Sequence, residues 1–328
     1  MKKYLAKWFV IIIVIAVMIG AGFLTKYMPE ETKIASVFAE EQASETAEDQ
    51  SYFRISIPDK YEGAVQIEEN LMEKTVRIAL TGITEFSFST ILIEENDDRV
   101  VKTERSYENG EGTLLVYLDG RYACEGASEG RMLSLRFTPV REKYDRILVI
   151  DPGHGGEADT GTIAYGYEEK DLTLALAREV KSLLESELSD SYVCLTRLGD
   201  TALSERERES FAKELGADFY ISIHMDADPS SRATTGVSTY YNSADVRLGR
   251  AYAEIMQSCI AKAIEGQDAD AVKEDEKVLT KELPIPALVV EAGYLTNKQE
   301  ARMLGTKEYR EILAAGIAAG IEKIVMEK

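Results

Sequence analysis

The apolar residues of this chain change their spacing near residue 140, and the change separates two kinds of fold. Before it, apolar and polar residues alternate with a period of two, which is typical of strands with one buried face. After it, short apolar runs alternate with longer segments that follow the helical period of 3.6. The sequence therefore predicts a small all-β domain followed by an α/β domain, and 328 residues are enough for both cores.

The first domain, residues 51–141, is predicted to be a sandwich-like all-β unit. Turn signals such as Asn109-Gly110 and Asp119-Gly120 separate its alternating segments. It contains no histidine and no cluster typical of catalysis, so we interpret it as a structural or binding accessory. The alternating apolar residues are Phe53, Ile55, Ile57, Val76, Ile78, Leu80, Ile91, Ile93, Leu114, Val116, Leu118, Leu133, Leu135 and Phe137.

In the second domain, residues 144–328, strands alternate with helices, which predicts a mostly parallel, twisted sheet with helices on both faces. Asn297 and Glu300 have the spacing of a capping box, which predicts a short helix ending before Gly305. The predicted strands are 147–150, 192–195, 219–224, 237–241 and 288–292, and two predicted helices cover 205–215 and 246–264. Two further helices are predicted from apolar residues that share one face, Leu172, Leu176, Val180, Leu183 and Leu184 in one and Leu313, Ile317, Ile321 and Ile324 in the other.

Residues 1–28 are predicted to direct the rest of the chain out of the cytoplasm. Three lysines precede the apolar run 8–24, which as a helix would span roughly 26 Å. Their positive charge keeps the amino end inside. The run is either an uncleaved transmembrane anchor or a removed secretory signal with a small-residue site at Val37-Phe38-Ala39. Residues 29–50 are polar and acidic and are predicted to form a disordered linker.

The composition excludes two classes of protein. A formal net charge of -20 argues against nucleic acid as a partner, because binding phosphates requires clustered Lys and Arg. The three cysteines, Cys124, Cys194 and Cys259, are far apart and form no Cys-x-x-Cys pair. Neither a disulfide framework nor a thiolate zinc site is therefore expected, and we interpret all three as small buried apolar residues.

The only two histidines, His154 and His224, each follow a predicted strand of the α/β domain. The carboxyl ends of parallel strands lie at the edge of the sheet where ligands collect. Each histidine alone is more typical of a hydrogen bond that stabilises a loop, but together they suit a zinc site. A catalytic zinc needs a third protein ligand, and Glu168 or Glu169 lies close enough in sequence. Alternatively, both are surface charges at the start of a helix.

Glu291 interrupts the apolar strand PALVVEAG, where a carboxylate is costly unless it is paired or functional. A structural salt bridge to Arg or Lys is one interpretation. Near a metal-bound water, the same carboxylate is a candidate general base.

A resemblance to a known family is carried by five motifs, DPGHGG, YEEKDLTLALA, TRLGDTALSERERESFA, YISIHMDA and LPIPALVVEAGYLTN. Over about residues 146–325 the chain resembles the zinc-dependent N-acetylmuramoyl-L-alanine amidases of the amidase-3 type. The resemblance implies hydrolysis of the bond between the lactyl group of N-acetylmuramic acid and L-alanine in peptidoglycan, with one zinc ion. It also implies that His154, Glu169 and His224 bind the zinc and that Glu291 is the catalytic glutamate.

Three further residues are candidates for contacts around the zinc or the substrate. Asp151 is close enough in sequence to orient a zinc histidine through its second nitrogen, and Arg208 and Asp226 lie in matching motifs. The sequence departs from the family pattern at three places, namely Met225-Asp226 after the second histidine in place of Asn, Asp270-Ala271 in place of an Arg-Gly pair, and Glu205 in place of leucine.

These departures keep two other functions open, a wall-binding or regulatory protein with little turnover and a zinc peptidase that cuts within the stem peptide. A nucleotide site is not supported, because GHGG lacks the G-x-G-x-x-G spacing. The all-β domain resembles the AMIN wall-targeting domain in position and period. A protein activator is a further expected partner. The acidic segment Glu265–Glu282 is either a regulatory element or a surface connection.

Overall fold

The chain forms two compact units that meet in sequence between Pro139 and Val140. In the described part of the chain, no helix is long and apolar enough to cross a membrane. The predicted anchor or signal, 8–24, and the predicted linker lie outside the described residues, except that Ile15–Ala16 form a two-residue strand, β1, rather than part of a helix. The computed structural model describes residues 15–16, 51–242, 246–265, 272–275 and 283–326.

The first unit contains two antiparallel sheets that share one apolar core. The larger sheet has the order β1-β3-β4-β7-β6 and the smaller has the order β5-β2-β9-β8. Alternate residues of both sheets fill the core, as the period of two predicts, and Ile78, Leu114 and Phe137 are fully buried. The strands are β2 (Tyr52–Ser56), β3 (Ala64–Asn70), β4 (Thr75–Thr81), β5 (Ile93–Asn96), β6 (Val100–Glu108), β7 (Glu111–Leu118), β8 (Tyr122–Glu129) and β9 (Met132–Pro139).

Three of these strands, β3, β6 and β8, were not predicted. Both β6 and β8 lie at sheet edges, and six of the nine residues of β6 and four of the eight residues of β8 are exposed. Charged edge strands lack the alternation of apolar and polar residues from which the other strands were predicted. A short helix, α1 (Glu85–Ser89), begins after Thr84, whose hydroxyl accepts a hydrogen bond from the Ser87 amide.

The second unit is built on a six-stranded sheet with the order β13-β10-β14-β17-β15-β16. All described neighbours in this sheet are parallel except β15 and β17. A two-stranded hairpin of β11 and β12 lies between β10 and the next helix. The strands are β10 (Arg146–Pro152), β11 (Ile163–Ala164), β12 (Tyr167–Glu168), β13 (Ser191–Leu195), β14 (Phe219–Asp226), β15 (Ser238–Asn242), β16 (Lys273–Asp275) and β17 (Ala287–Tyr294).

Helices cover both faces of this sheet, in agreement with the prediction. Three long helices, α3, α5 and α7, pack on one face against residues such as Leu148 and Ile221. On the other face, Arg208 of α4 reaches Asp151, which alternates with Leu148 and Ile150 along β10. The helices of this unit are α2 (Val140–Lys143), α3 (Glu169–Glu187), α4 (Glu205–Leu215), α5 (Val246–Ala263), α6 (Lys298–Leu304) and α7 (Lys307–Met326).

The order of the strands determines where a site can form. Helix α3 connects β10 to β13 on one side of it, and α4 leads back past β10 to β14 on the other side. Right-handed crossovers in opposite directions put their helices on opposite faces. The carboxyl ends of β10 and β14 therefore flank the point at which the strand order reverses, and crevices at such points bind ligands.

Candidate metal centre

His154 lies in the glycine-rich loop that leaves the carboxyl end of β10. Its φ of +60° is left-handed, a conformation that few residues other than glycine adopt. The amide of Gly153 donates to the Ile223 carbonyl at 2.9 Å, which fixes the start of the loop against β14. His154 Nδ1 lies 2.6 Å from Oδ1 of Asp159, so the ring is oriented by a carboxylate within its own loop.

His224 lies near the end of β14, directly opposite Glu291 on the neighbouring strand β17. Gly153 packs against the imidazole ring so closely that a Cβ atom there would lie 2.3 Å from Cε1 of His224. The centroids of the two imidazole rings are 4.9 Å apart with their planes nearly perpendicular. The two strand ends therefore bring both histidines to one point.

Glu169, the first residue of α3, lies between the two histidines and is only 3 % exposed. Its Oε1 atom lies 3.1 Å from Nε2 of His154 and 3.2 Å from Nδ1 of His224. Backbone amides complete its environment, since Met225 donates to Oε1 and Thr162 donates to Oε2. Glu168, the other carboxylate considered from the sequence, instead forms an ion pair with Lys170.

The geometry of these three side chains fits a zinc ion. One ligand atom from each of His154, Glu169 and His224 lies within 4.8 Å of the others. Tetrahedral coordination with bonds of 2.0–2.1 Å requires ligand atoms about 3.3 Å apart, close to the observed 3.1 and 3.2 Å. Two imidazole nitrogens and one carboxylate oxygen are also a ligand set that catalytic zinc uses.

The charges of this cluster are strongly coupled. Burial alone would lower the pKa of His154, but the Glu169 and Asp159 carboxylates outweigh burial and raise that pKa to about 9. Burial opposes the charge on Glu169, yet hydrogen bonds from both histidines pull its pKa well below the usual range. The carboxylate of Glu169 therefore stays ionised, as a metal ligand must be.

Glu291 has the opposite electrostatic behaviour. Burial raises its pKa to about 7, and the Asp226 and Glu169 carboxylates add to this effect against the attraction of His224. Its Oε2 atom is buried and, among the described residues, has no hydrogen-bond partner. Since no described Arg or Lys pairs with it, the geometry favours the general base over the structural salt bridge.

Asp151 lies deeper than the metal cluster and contacts neither histidine ring directly. It is fully buried and accepts hydrogen bonds from Thr196, Ser222 and Arg208 at 2.5, 2.7 and 2.5 Å. The guanidinium of Arg208 also donates to the carbonyl of His154 at 2.9 Å. At Nδ1 of His154, the carboxylate partner is therefore Asp159 rather than Asp151.

Two residues of the site, Asp159 and Arg197, were missed by sequence reasoning. Asp159 follows His154 by five residues in the same loop, a spacing that indicates a local partner for the imidazole. Arg197 directly follows Thr196 at the end of β13, and its guanidinium donates to the carbonyls of Pro152 and Gly153. Arg197 lies in the motif TRLGDTALSERERESFA, so a sequence signal was present, but no role was assigned to this arginine.

An open cleft of about 230 Å³ leads to the two histidines. It is lined by His154, His224, Asp159, Arg208 and the 203–205 segment at the start of α4. Glu205, which replaces the family's leucine, is exposed on this wall of the cleft. Asp226 is half-buried, and its Oδ1 atom accepts a hydrogen bond from the Ala227 amide at 2.7 Å.

Two sequence features cannot be placed in the structure. Asp270-Ala271 lies outside the described residues, and so does most of the segment Glu265–Glu282. Within that segment, Lys273–Asp275 forms the edge strand β16, which pairs in parallel with β15.

Comparisons with known proteins agree on one family. Residues 148–323 match the family model described as N-acetylmuramoyl-L-alanine amidase. The N-acetylmuramoyl-L-alanine amidase CwlM of Bacillus licheniformis is 34% identical over 176 residues, which cover 54% of this chain and 67% of CwlM.

Two solved structures extend the comparison to the fold. An N-acetylmuramoyl-L-alanine amidase from Clostridium difficile 630 has a TM-score of 0.53 at 30% identity, covering 56% of this chain and 98% of its own. The CwlD amidase of Clostridioides difficile, solved in complex with the GerS lipoprotein, has a TM-score of 0.51 at 27% identity, covering 56% and 100%.

Proposed function

Because the chain belongs to the amidase-3 family of N-acetylmuramoyl-L-alanine amidases, we propose that it is a zinc-dependent peptidoglycan amidase of the cell envelope. The bond that it cleaves joins the lactyl group of N-acetylmuramic acid to L-alanine of the stem peptide. The observation that supports the zinc chemistry is the cluster of His154, Glu169 and His224 beside Glu291, whose buried Oε2 atom has no hydrogen-bond partner among the described residues.

The three clustered side chains would hold the zinc, and the protein supplies their orientation. Asp159 fixes the ring of His154, and the Met225 and Thr162 amides fix the carboxylate of Glu169. When bound, zinc polarises the scissile carbonyl and lowers the pKa of water. Ligands oriented in this way bind metal more tightly than mobile ones, because their neighbours have already fixed the geometry.

Glu291 is the group that moves the proton in this proposal. A carboxyl with a pKa of about 7 is suited to take a proton from water and to return it to a leaving group near neutral pH. It would accept the proton of the attacking water and pass it to the departing nitrogen of L-alanine. Its Oε2 atom is buried, so that oxygen is shielded from bulk water.

Export and targeting complete the proposal. The apolar run 8–24 either anchors the chain in the membrane with the amidase domain outside or is removed as a signal. We propose that the all-β unit, residues 51–139, is an accessory that contacts the wall. A protein activator is also proposed, since the CwlD amidase was solved in complex with a lipoprotein.

The proposal is tested by digesting purified peptidoglycan with the full chain and zinc and identifying the products by mass spectrometry. We expect free stem peptides that begin with L-alanine. Glu291→Gln removes the proton carrier but keeps the shape of the side chain, so it should bind zinc and release no peptide. Glu254→Gln, on the exposed surface of α5, is the matched control and should act as the wild type.

Three outcomes would contradict the proposal in different ways. Cleavage between amino acids of the stem would make the protein a peptidase. Zinc binding without products, with the same result after addition of envelope extract, would indicate a wall-binding or regulatory role. Full activity of Glu291→Gln would remove Glu291 from the mechanism.

A further inference from the structure

Two buried arginines bind three successive carbonyl groups of the loop that carries His154. Arg197 donates to Pro152 and Gly153 at 3.0 and 2.9 Å. Arg208 donates to Pro152 and His154 at 3.0 and 2.9 Å. Every carbonyl from 152 to 154 therefore faces a guanidinium, where a loop would ordinarily direct them toward water.

The contacts from the two arginines hold a strained part of the backbone in place. His154 has a left-handed φ of +60°, which a residue with a side chain adopts only when its surroundings impose it. The contacts at the carbonyls on both sides of this residue supply that constraint. The direction of the imidazole ring thus depends on the arginines behind the loop as well as on Asp159 beside the ring.

Arg197 also connects the loop to a second metal-ligand segment. One nitrogen, Nη2, donates to the carbonyl of Gly153 at 2.9 Å and to the carbonyl of Lys170 at 2.7 Å. Gly153 precedes His154, and Lys170 follows Glu169 in the first turn of α3. Thr173 joins the same two points, since its hydroxyl lies 2.9 Å from the Gly153 carbonyl and 3.1 Å from the Lys170 carbonyl.

The environment of Arg197 is unusual for a residue with only a structural role. Its guanidinium is buried, and its hydrogen-bond acceptors are backbone carbonyls and the hydroxyl of Thr173, with no carboxylate among them. Burial and the neighbouring positive charge of Arg208 lower its pKa to about 10, against the attraction of the Asp151, Asp200 and Asp171 carboxylates. A buried cation that donates to no carboxylate directly is costly even with acidic side chains nearby. The planar, forked donor of arginine can, however, bind several carbonyl groups at once.

We propose that Arg197, together with Thr173, is a positioning residue of the metal site. It fixes the loop of His154 relative to the first turn of Glu169 and so sets the spacing of two metal ligands without touching the metal. This inference rests on the proposed function in one respect, the assignment of His154 and Glu169 as ligands. It adds a second group of residues on which metal affinity depends.

The test measures metal binding directly. Arg197→Lys keeps a buried cation but loses the fork that binds Gly153 and Lys170 at once, and Thr173→Val keeps the shape but loses the hydroxyl. The full-length proteins are titrated with zinc against a chromophoric chelator, and cobalt is added separately to record its d–d absorption. Arg178→Met is the matched control, because Arg178 donates to the carbonyl of Leu198 on the neighbouring connection.

We expect both variants to bind zinc more weakly, with Arg197→Lys about 10- to 100-fold weaker, as for other residues that orient metal ligands. Their cobalt spectra should differ from that of the wild type, whereas Arg178→Met should match it. Circular dichroism of the metal-free proteins separates these effects from unfolding. If Arg197→Lys does not fold, Thr173→Val decides the question.

Two results would overturn the inference, and they are distinguishable. Folded variants with zinc affinity within twofold of the wild type and an unchanged cobalt spectrum would show that Arg197 serves the fold alone. A wild-type protein that binds no zinc would instead refute the proposed function, and the inference would fail with it.

Discussion

Gly153 is the position where the smallest substitution should have the largest effect on the metal site. In Gly153→Ala, the new Cβ atom would lie 2.3 Å from Cε1 and 2.5 Å from Nδ1 of His224. Ordinary van der Waals contact begins at 3.4 Å, so the ring and the backbone at residue 153 must separate by 3.4 − 2.3 = 1.1 Å. Metal ligands tolerate deviations of only about 0.2 Å, and a displacement of this size should break the ligand set.

The expected loss follows from that displacement. A misplacement of about 1 Å costs about 100-fold in rate even where the chemistry is otherwise intact, so we expect at least this loss of amidase activity. Overpacking should cost only about 1–3 kcal/mol of stability, which leaves the protein folded. Both are measured on the full chain, activity from released stem peptides and stability from urea unfolding.

The control for this prediction is Gly199→Ala, where an added Cβ would meet no atom within 4 Å. It should retain the activity and zinc affinity of the wild type. If Gly153→Ala bound zinc and cleaved peptidoglycan as well as Gly199→Ala, the close packing of His224 against Gly153 would have no part in forming the site, and the reasoning would be refuted.

Three further perturbations test the electrostatics of the site. Burial raises the pKa of Glu291 in the folded protein to about 7, so between about pH 4.5 and 7 the metal-free folded state keeps a proton on Glu291 that the unfolded state has lost. The free energy of unfolding should therefore fall by at most about 3 kcal/mol as pH rises through this range. Urea titrations of Glu291→Gln should show a flatter dependence of this free energy on pH. Arg208→Met leaves the charge of Asp151 buried without its cation and should cost about 3–5 kcal/mol in urea unfolding, part of which Asp151→Asn should restore. Asp159→Asn removes the carboxylate at Nδ1 of His154 and should weaken zinc binding by about 10-fold or more in the chelator assay, whereas an unchanged affinity would mean that the ring needs no such partner.

The sequence predicted best those strands and helices whose position in the core imposes a strong hydrophobic periodicity. Buried parallel strands and the helices that cover them have strong periodicities, so β10, β14, β17, α4 and α5 were predicted close to their observed bounds, and α3 and α7 were predicted from their apolar faces. Edge strands such as β6 and β16 were missed because their pairing uses backbone groups and leaves no apolar pattern. At α6, Asn297 caps the helix as predicted, but the Glu300 carboxylate binds the amides of Tyr294 and Gly236 instead of completing the box.

The residues of the candidate site were likewise predicted only in part. His154, His224 and Glu291 attract attention from sequence because each lies at or near the end of an apolar run, and the structure brings them together. The choice between Glu168 and Glu169 could not be made from spacing, since both precede the same helix; it depends on the hairpin of β11 and β12, which turns Glu168 toward Lys170. Arg197 lies in one of the motifs that carry the family resemblance, but its contacts could not be predicted from the sequence, because they are made to backbone carbonyl groups, which every residue has.

The two glutamates near the histidines carry the main chemical argument for a hydrolase. Glu169 accepts from four donors and stays ionised. In the described part of the chain, the buried Oε2 of Glu291 has no donor, and burial raises the pKa of Glu291 to about 7. Pairs of titratable groups whose environments push their pKa values apart are typical of sites that divide acid–base roles. A site that only stored a metal would gain nothing from leaving Oε2 of Glu291 without a donor among the described residues, because a buried carboxylate oxygen without a partner destabilises the fold. This environment therefore supports the proposed role of Glu291 in proton transfer.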